Sequence, residues 1–200
     1  MGGTKGAYHH GDLRRELVAT ATDILRREGG DELTLRAVAR AAGVSQTAPY
    51  RHFPDKSSLL AAVAETGFSK LDARCEDALA ATAGARNRLH QLGKAYVQFA
   101  LDEPALFRLM FSAELGKFKD EYPELVAKGK RVHDLMRATV EEILSEADAA
   151  KAELETSCAA AWSLVHGLAF LLIDRGIRAS PHETDALVDG VTRLFARGLP

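Results

Sequence analysis

Cysteine is scarce in this chain of 200 residues. Cys75 and Cys158 are the only two, and neither stands at a metal-ligand spacing. That excludes a disulfide framework and a cysteine-rich zinc site, and it suits thiols kept reduced in a cytoplasm. An excess of one charge is also lacking: the formal net charge is −2. Residues 1–56 carry nine Lys/Arg against seven Asp/Glu, and residues 57–200 carry 17 against 21. So small a bias gives no argument for a polyanion partner. There is no phosphate-cradling glycine loop, no H-E-x-x-H, no paired E-x-x-H and no Ser/His/Asp constellation. Nothing in the chain therefore supports an enzyme, a metal site or a cofactor. The first eleven residues lack an apolar run, so no signal peptide is expected and the protein reads as cytoplasmic. Strand-like alternation, internal repeats and low-complexity tracts are absent too.

What the chain does have is helical periodicity, enough for about nine helices in an all-α protein. A glycine-rich arm precedes Asp12, the expected cap of a first helix. In that arm Lys5, Tyr8, His9 and His10 can touch phosphates, whereas His9, His10 and Asp12 make a poor chelate on a flexible segment. Leu13, Leu17, Val18, Ala21, Ile24 and Leu25 form one stripe that stops at Gly29-Gly30. Arg26 and Arg27 lie off the stripe and read as a solvated face.

The stretch 34–60, TLRAVARAAGVSQTAPYRHFPDKSSLL, reads as two short helices, a tight turn and the start of a third. Thr34 caps the first, and Leu35, Val38, Ala39 and Ala42 face inward. Gly43 ends it, Val44 plugs the turn, and Ser45 caps a second helix over 46–53. That second helix is crowded with donors, which suits entry into a major groove.

The residues Ala39, Ala42, Gly43, Val44, Ser45, Tyr50, His52, Phe53, Lys56, Leu59 and Leu60 follow a long, dense pattern. In it the chain resembles the tetracycline-repressor family of bacterial transcription regulators. The resemblance implies a three-helix DNA-binding domain over 1–56 and a helical bundle for ligand binding and dimerisation over 57–200. It implies that Arg36 and Gln46 read bases; arginine pairs with guanine O6 and N7, glutamine with adenine N6 and N7. Thr47 would meet a thymine methyl, while Tyr50, His52 and Lys56 would clamp the backbone. Thr34 and Ser45, at the two helix starts, complete the DNA-facing set. Two departures stand out: Ala48 lacks a hydroxyl that the family often presents, and Pro49 cannot donate a backbone N–H.

Beyond this stretch, further helices are expected over 56–82, 85–101, 104–115, 123–147, 149–174 and 181 onward, with a charged loop over 116–122. Phe68, Tyr96, Phe99, Phe107, Met110, Phe111, Met136, Trp162 and His166 are the candidate lining of a cavity; each alone reads as readily as core. The absence of a charged cluster among them favours a small, largely apolar effector. From 158 to 173 the chain is apolar nearly all round, yet that span falls below the ~20 residues needed to cross a bilayer. Such a helix must be covered on every face. Leu164, Leu168, Leu171 and Leu172, with Val188, Val191, Leu194 and Phe195 on a last helix beside it, are expected to form a homodimer interface. The expected protein is a repressor that binds double-stranded operator DNA as a dimer and is released by its effector. The alternative is a helical adaptor that binds a protein through its C-terminal helices.

Overall fold

The computed structural model describes residues 10–30, 32–147 and 153–199. The N-terminal arm, with Lys5, Tyr8 and His9, lies outside the described residues. Nine α-helices and two 3-10 turns are found among those described, and no strand. α1 (His10–Glu28) starts two residues before Asp12, so that residue falls inside the first turn instead of capping it. Leu17, Ala21, Ile24 and Leu25 are buried as the stripe requires.

α2 (Leu35–Ala41) begins where the Thr34 hydroxyl accepts the Ala37 N–H at 3.0 Å. It ends in a left-handed glycine, Gly43, with φ +68°. The Val44 N–H closes back on the Ala39 carbonyl at 3.0 Å and the Gly43 N–H on Arg40 at 3.3 Å. This paired closure turns the chain sharply without orphaning the last carbonyls.

The expected helix over 46–53 is not regular. Only Pro49–Arg51 form a 3-10 turn, preceded by a hydrogen-bonded turn over 45–48. Pro49 has no N–H to give to the Ser45 carbonyl, so that carbonyl takes the Ala48 N–H at 3.0 Å instead. The bonds Arg51 to Ala48 and His52 to Pro49 keep the tighter three-residue step.

α3 (Lys56–Ala80) is capped reciprocally: Asp55 accepts the Ser58 N–H at 2.8 Å and Ser58 Oγ accepts the Asp55 N–H at 3.3 Å. Its 25 residues span about 37 Å. α4 (Ala85–Asp102) is the hub, packed against α3, α5 (Pro104–Met110) and the three long helices that follow. The expected helix over 104–115 breaks at Phe111-Ser112, where Ser112 Oγ accepts the Leu115 N–H at 3.2 Å and starts α6 (Ala113–Phe118). The segment expected as a loop is thus the end of α6 and a 3-10 turn, Lys119–Glu121. Its charges lie on short helical turns whose one buried anchor is Leu115.

α7 (Pro123–Glu146), α8 (Glu153–Ile173) and α9 (Pro181–Gly198) complete the bundle. Ser180 and Glu183 cap α9 reciprocally, and Arg86 of α4 donates to the carbonyls of Ala196 and Leu199 at its far end. α9 therefore lies along α4, and it meets α8 only at an edge. Gly93 permits that approach: a Cβ there would stand 2.9 Å from Thr192 Cγ2.

One apolar cluster runs without a break from Leu17 and Val38 through Leu59 and Leu71 to Phe107 and Val132. A smaller cluster closes the far end around Leu89, Ile143 and Leu154. α8 is the correction to the membrane argument: at 21 residues it is long and apolar enough, by length and composition, to cross a membrane. Only its inner side, with Ala161, Leu168 and Ala169, is buried by the chain itself.

Candidate functional site

The residues expected to meet DNA, effector and a second subunit fall on three surfaces. On the first, Thr34, Arg36, Ser45, Gln46 and Thr47 are exposed, and Tyr50 is 48% exposed despite its size. The geometry brings them together around the bend between α2 and the 3-10 turn. Thr34 is already engaged as a cap, and Ser45 Oγ lies 3.3 Å from Thr47 Oγ1, so these hydroxyls are partly occupied. Lys56 Nζ donates to the Gly30 carbonyl at 3.1 Å, which fixes the α1–α2 loop and leaves two further donors. His52 departs from expectation. Its Nε2 is enclosed with no hydrogen-bond partner and its ring leans on Phe53, so a clamp through that atom needs the ring to turn. Arg40 and Arg51, outside the expected set, are exposed on the same segments and add positive charge to that surface. Arg14 places its guanidinium 5.3 Å from the Phe53 ring centroid.

The second surface is a partly open cavity of about 60 Å³ between α3, α4, α7, α8 and α9. Phe68, Tyr96, Phe111, Met136 and Trp162 line it as expected. Phe99, Phe107 and Met110 do not. Phe107 is fully buried behind the wall, edge-on to Tyr96 with centroids 5.5 Å apart. Phe99 turns toward Arg74, and Met110 fills the space over Gly67. Their helical spacing could not say which side of the wall they occupy. His166 stands just behind the lining, where its Nδ1 is 2.9 Å from Tyr96 Oη. Burial lowers the His166 pKa and raises that of Tyr96, so both are neutral near pH 7. Burial likewise pushes the Cys75 thiol up to about 12, which leaves it inert. His133 and Cys75 line the cavity as well, and so do Leu164 and Phe195, which the packing turns inward from the expected subunit interface. His133 packs edge-on to Trp162 with centroids 5.4 Å apart.

The third surface is the outward face of α8 and α9. Leu168 and Val188, expected there, are buried within the chain against Val97. The reason is α9's position on α4, which covers both. Leu171 is 49% and Leu194 76% exposed, while Leu172 and Val191 are half-buried. Ala160, Ser163 and Gly167 continue the exposed stripe of Leu171, and Ala186 and Gly190 that of Leu194. A Cβ at Gly167 or Gly190 would meet nothing.

Sequence and structure comparisons fall on the same two halves. Residues 17–63 match the model described as bacterial regulatory proteins of the tetR family, and residues 89–195 match the tetracyclin repressor-like C-terminal domain. A protein of unknown function from Rhodococcus sp. RHA1 is 35% identical, with a TM-score of 0.82 covering 98% of this chain and 99% of that one. The TetR family regulator PfmR from Thermus thermophilus shares the fold at 20% identity, with a TM-score of 0.69 over 94% of this chain and 97% of its own. The nucleoid occlusion factor SlmA of Marinobacter nauticus is 33% identical over 94 residues, 46% of this chain and 48% of that protein. The chain thus spans about half the length of the curated relatives it matches. Family members are DNA-binding transcription factors, not enzymes. With one family model on the reading bend and another over more than half the chain, this protein belongs to the tetracycline-repressor family of transcriptional regulators.

Proposed function

We propose that this regulator is a cytoplasmic repressor that binds a twofold-symmetric operator as a homodimer and is released by a small, largely apolar effector. Residues 1–56 form the reading unit and residues 57–200 the sensing and dimerising unit. Arg36 and Gln46 read bases in each half-site and Thr47 meets a thymine methyl; Thr34, Ser45, Tyr50 and Lys56 hold the backbone. The observation that carries this reading is the course of α3. It starts with Lys56 beside the reading bend and supplies Phe68, Leu71 and Cys75 to the cavity wall. An occupant that moves α3 changes the spacing of two reading bends, which must match one DNA turn of about 34–36 Å or a multiple of it.

The dimer is supported by the outward face of α8 and α9. A glycine within a helix costs about 1 kcal/mol relative to alanine, and the chain itself gains nothing from Gly167 or Gly190 in return. A partner's helices approaching closely would use both. No membrane or protein adaptor role is needed to cover that face. Selection of binding sites from a genomic fragment pool tests the whole reading. Recovered sites should carry dyad symmetry about one helical turn apart. Sites without a dyad would overturn it.

A further inference from the structure

We infer that a groove at the turn between α8 and α9 binds a small amphipathic oxyanion, a carboxylate or phosphate head on an apolar tail. The groove has a volume of about 490 Å³, within the ~300–1,000 Å³ of ligand pockets. It is separate from the cavity at Trp162 and shares no lining residue with it. Leu101 of α4, Leu172 of α8 and Ile177 form its apolar side, half-buried and packed on Val97, Leu168 and Val188. Arg175, Arg178 and Thr184 form its polar side, and no Asp or Glu among the described residues lines it.

The polar side is unoccupied by the chain's own groups. Among the described residues neither guanidinium has an ion-pair or hydrogen-bond partner. The acids that flank the turn are already engaged: Asp174 by Arg108 of α5, and Glu183 by the Ser180 N–H at 2.7 Å. The Thr184 hydroxyl makes no hydrogen bond there either, whereas that of Thr192 on the same helix donates to the Val188 carbonyl at 2.7 Å. A guanidinium is a planar fork of donors that fits a carboxylate or a phosphate, and two of them here await one.

Arg175 is also held under strain. Its φ is +57°, and among the described residues it is the one non-glycine in the left-handed region. Gly176 follows it directly, yet that glycine serves packing: a Cβ there would stand 3.1 Å from Leu171. The Ile177 N–H closes on the Leu171 carbonyl at 3.0 Å, and the Arg175 N–H on that of Leu172 at 3.2 Å. The turn is thus fixed by its own hydrogen bonds, and it presents Arg175 from a backbone that glycine would adopt without penalty. An alcohol in the groove would gain the apolar contacts alone, and a bare anion the charge alone. A ligand with both parts uses the whole site.

Octanoate, octyl phosphate, 1-octanol and acetate, titrated into the whole chain by calorimetry at pH 7.5, test the inference. The better of the two octyl oxyanions should bind about tenfold or more tighter than octanol, as charge-assisted hydrogen bonds allow. Acetate, which lacks the tail, should bind more weakly than either, and the preferred octyl head names the ligand's chemistry. Arg175→Gly should lower that affinity about tenfold and raise the melting temperature, because it removes the head contact and the strain together. A merely structural Arg175 would not move the two readouts in opposite directions. Arg178→Gln should weaken the oxyanion and leave octanol unchanged. Ethylbenzene, suited to the charge-free cavity at Trp162, should not compete. Octanol binding as tightly as the oxyanions, unchanged affinity in Arg175→Gly, displacement by ethylbenzene, or no binding of either octyl oxyanion would each overturn the inference. None of these results bears on the DNA-binding reading, which rests on other residues.

Discussion

Arg26 on α1 grips Glu103, the residue that joins α4 to α5, through two guanidinium hydrogen bonds, the Nε one at 2.8 Å. Lys70 of α3 approaches the same carboxylate at 3.5 Å. Three segments, one from the reading unit and two that wall the cavity, thus meet at one carboxylate. Phe107, one turn beyond Glu103, packs on Tyr96 and Phe111. α1 thus touches the α4–α5 junction behind the cavity wall as well as α3.

Glu103→Gln should lower stability by about 1 kcal/mol at pH 7, a figure discounted for the solvent exposure of Arg26. Hydrogen bonding from Arg26, then its charge, holds the Glu103 carboxyl below the usual glutamate range. A depressed carboxyl contributes stability above its unfolded pKa of about 4.3 and loses it as pH falls through the folded value. Urea melts of the two proteins should therefore converge in acid. A gap that stays constant with pH would assign the effect to packing.

At the DNA surface, Gln46→Ala should relax preference at one base pair per half-site, while Lys56→Ala weakens all sequences alike. The latter should flatten the salt slope by about one, the mark of one lost phosphate contact. Affinity measured across a salt series on the selected operator decides it. A Lys56→Ala change confined to sequence preference would remove that residue from the backbone clamp.

Leu194→Arg should give a folded monomer, because Leu194 is 76% exposed and touches little of its own chain. Leu168→Arg should instead unfold the protein, since a charge buried beside Val97 and Val188 costs about 3 kcal/mol or more. Sedimentation with circular dichroism separates the two outcomes. A Leu194→Arg protein that stays dimeric would move the interface off this face.

Gly93→Ala should destabilise by about 1–3 kcal/mol through overpacking, with the new Cβ 2.9 Å from Thr192 and 3.3 Å from Val165. Both neighbours line the cavity, so its volume should also shrink. Thermal melts and titrations with an apolar probe such as ethylbenzene report the two effects; an unchanged melting temperature would mean that α4 and α9 separate freely.

Linkage supplies the last test. If a bound probe lowers operator affinity by 5–150-fold, a coupling of about 1–3 kcal/mol, operator must lower probe affinity by the same factor. Trp162→Ala should blunt both, as it removes part of the cavity wall. Probe bound at Trp162 with operator affinity unchanged would show an uncoupled cavity.

The elements set by local chemistry could be read along the chain. The Thr34 cap, the Gly43 closure and the Ser180–Glu183 box each involve residues within a few positions, and each forms as its side chains require. Pro49 likewise announced an irregular bend, because a missing N–H is a property of the residue itself. Only the tertiary structure decided which side of each helix meets what. Helical spacing shows that Phe107 and Phe111 are apolar neighbours, yet α5 ending at Met110 puts one in the core and the other in the cavity wall. Leu168 and Leu171 share a helix, and the seating of α9 on α4 buries the first and leaves the second exposed. Arg26 looked solvated because its partner lies 77 residues away. Periodicity records that a face is apolar; long-range packing chooses the surface that covers it.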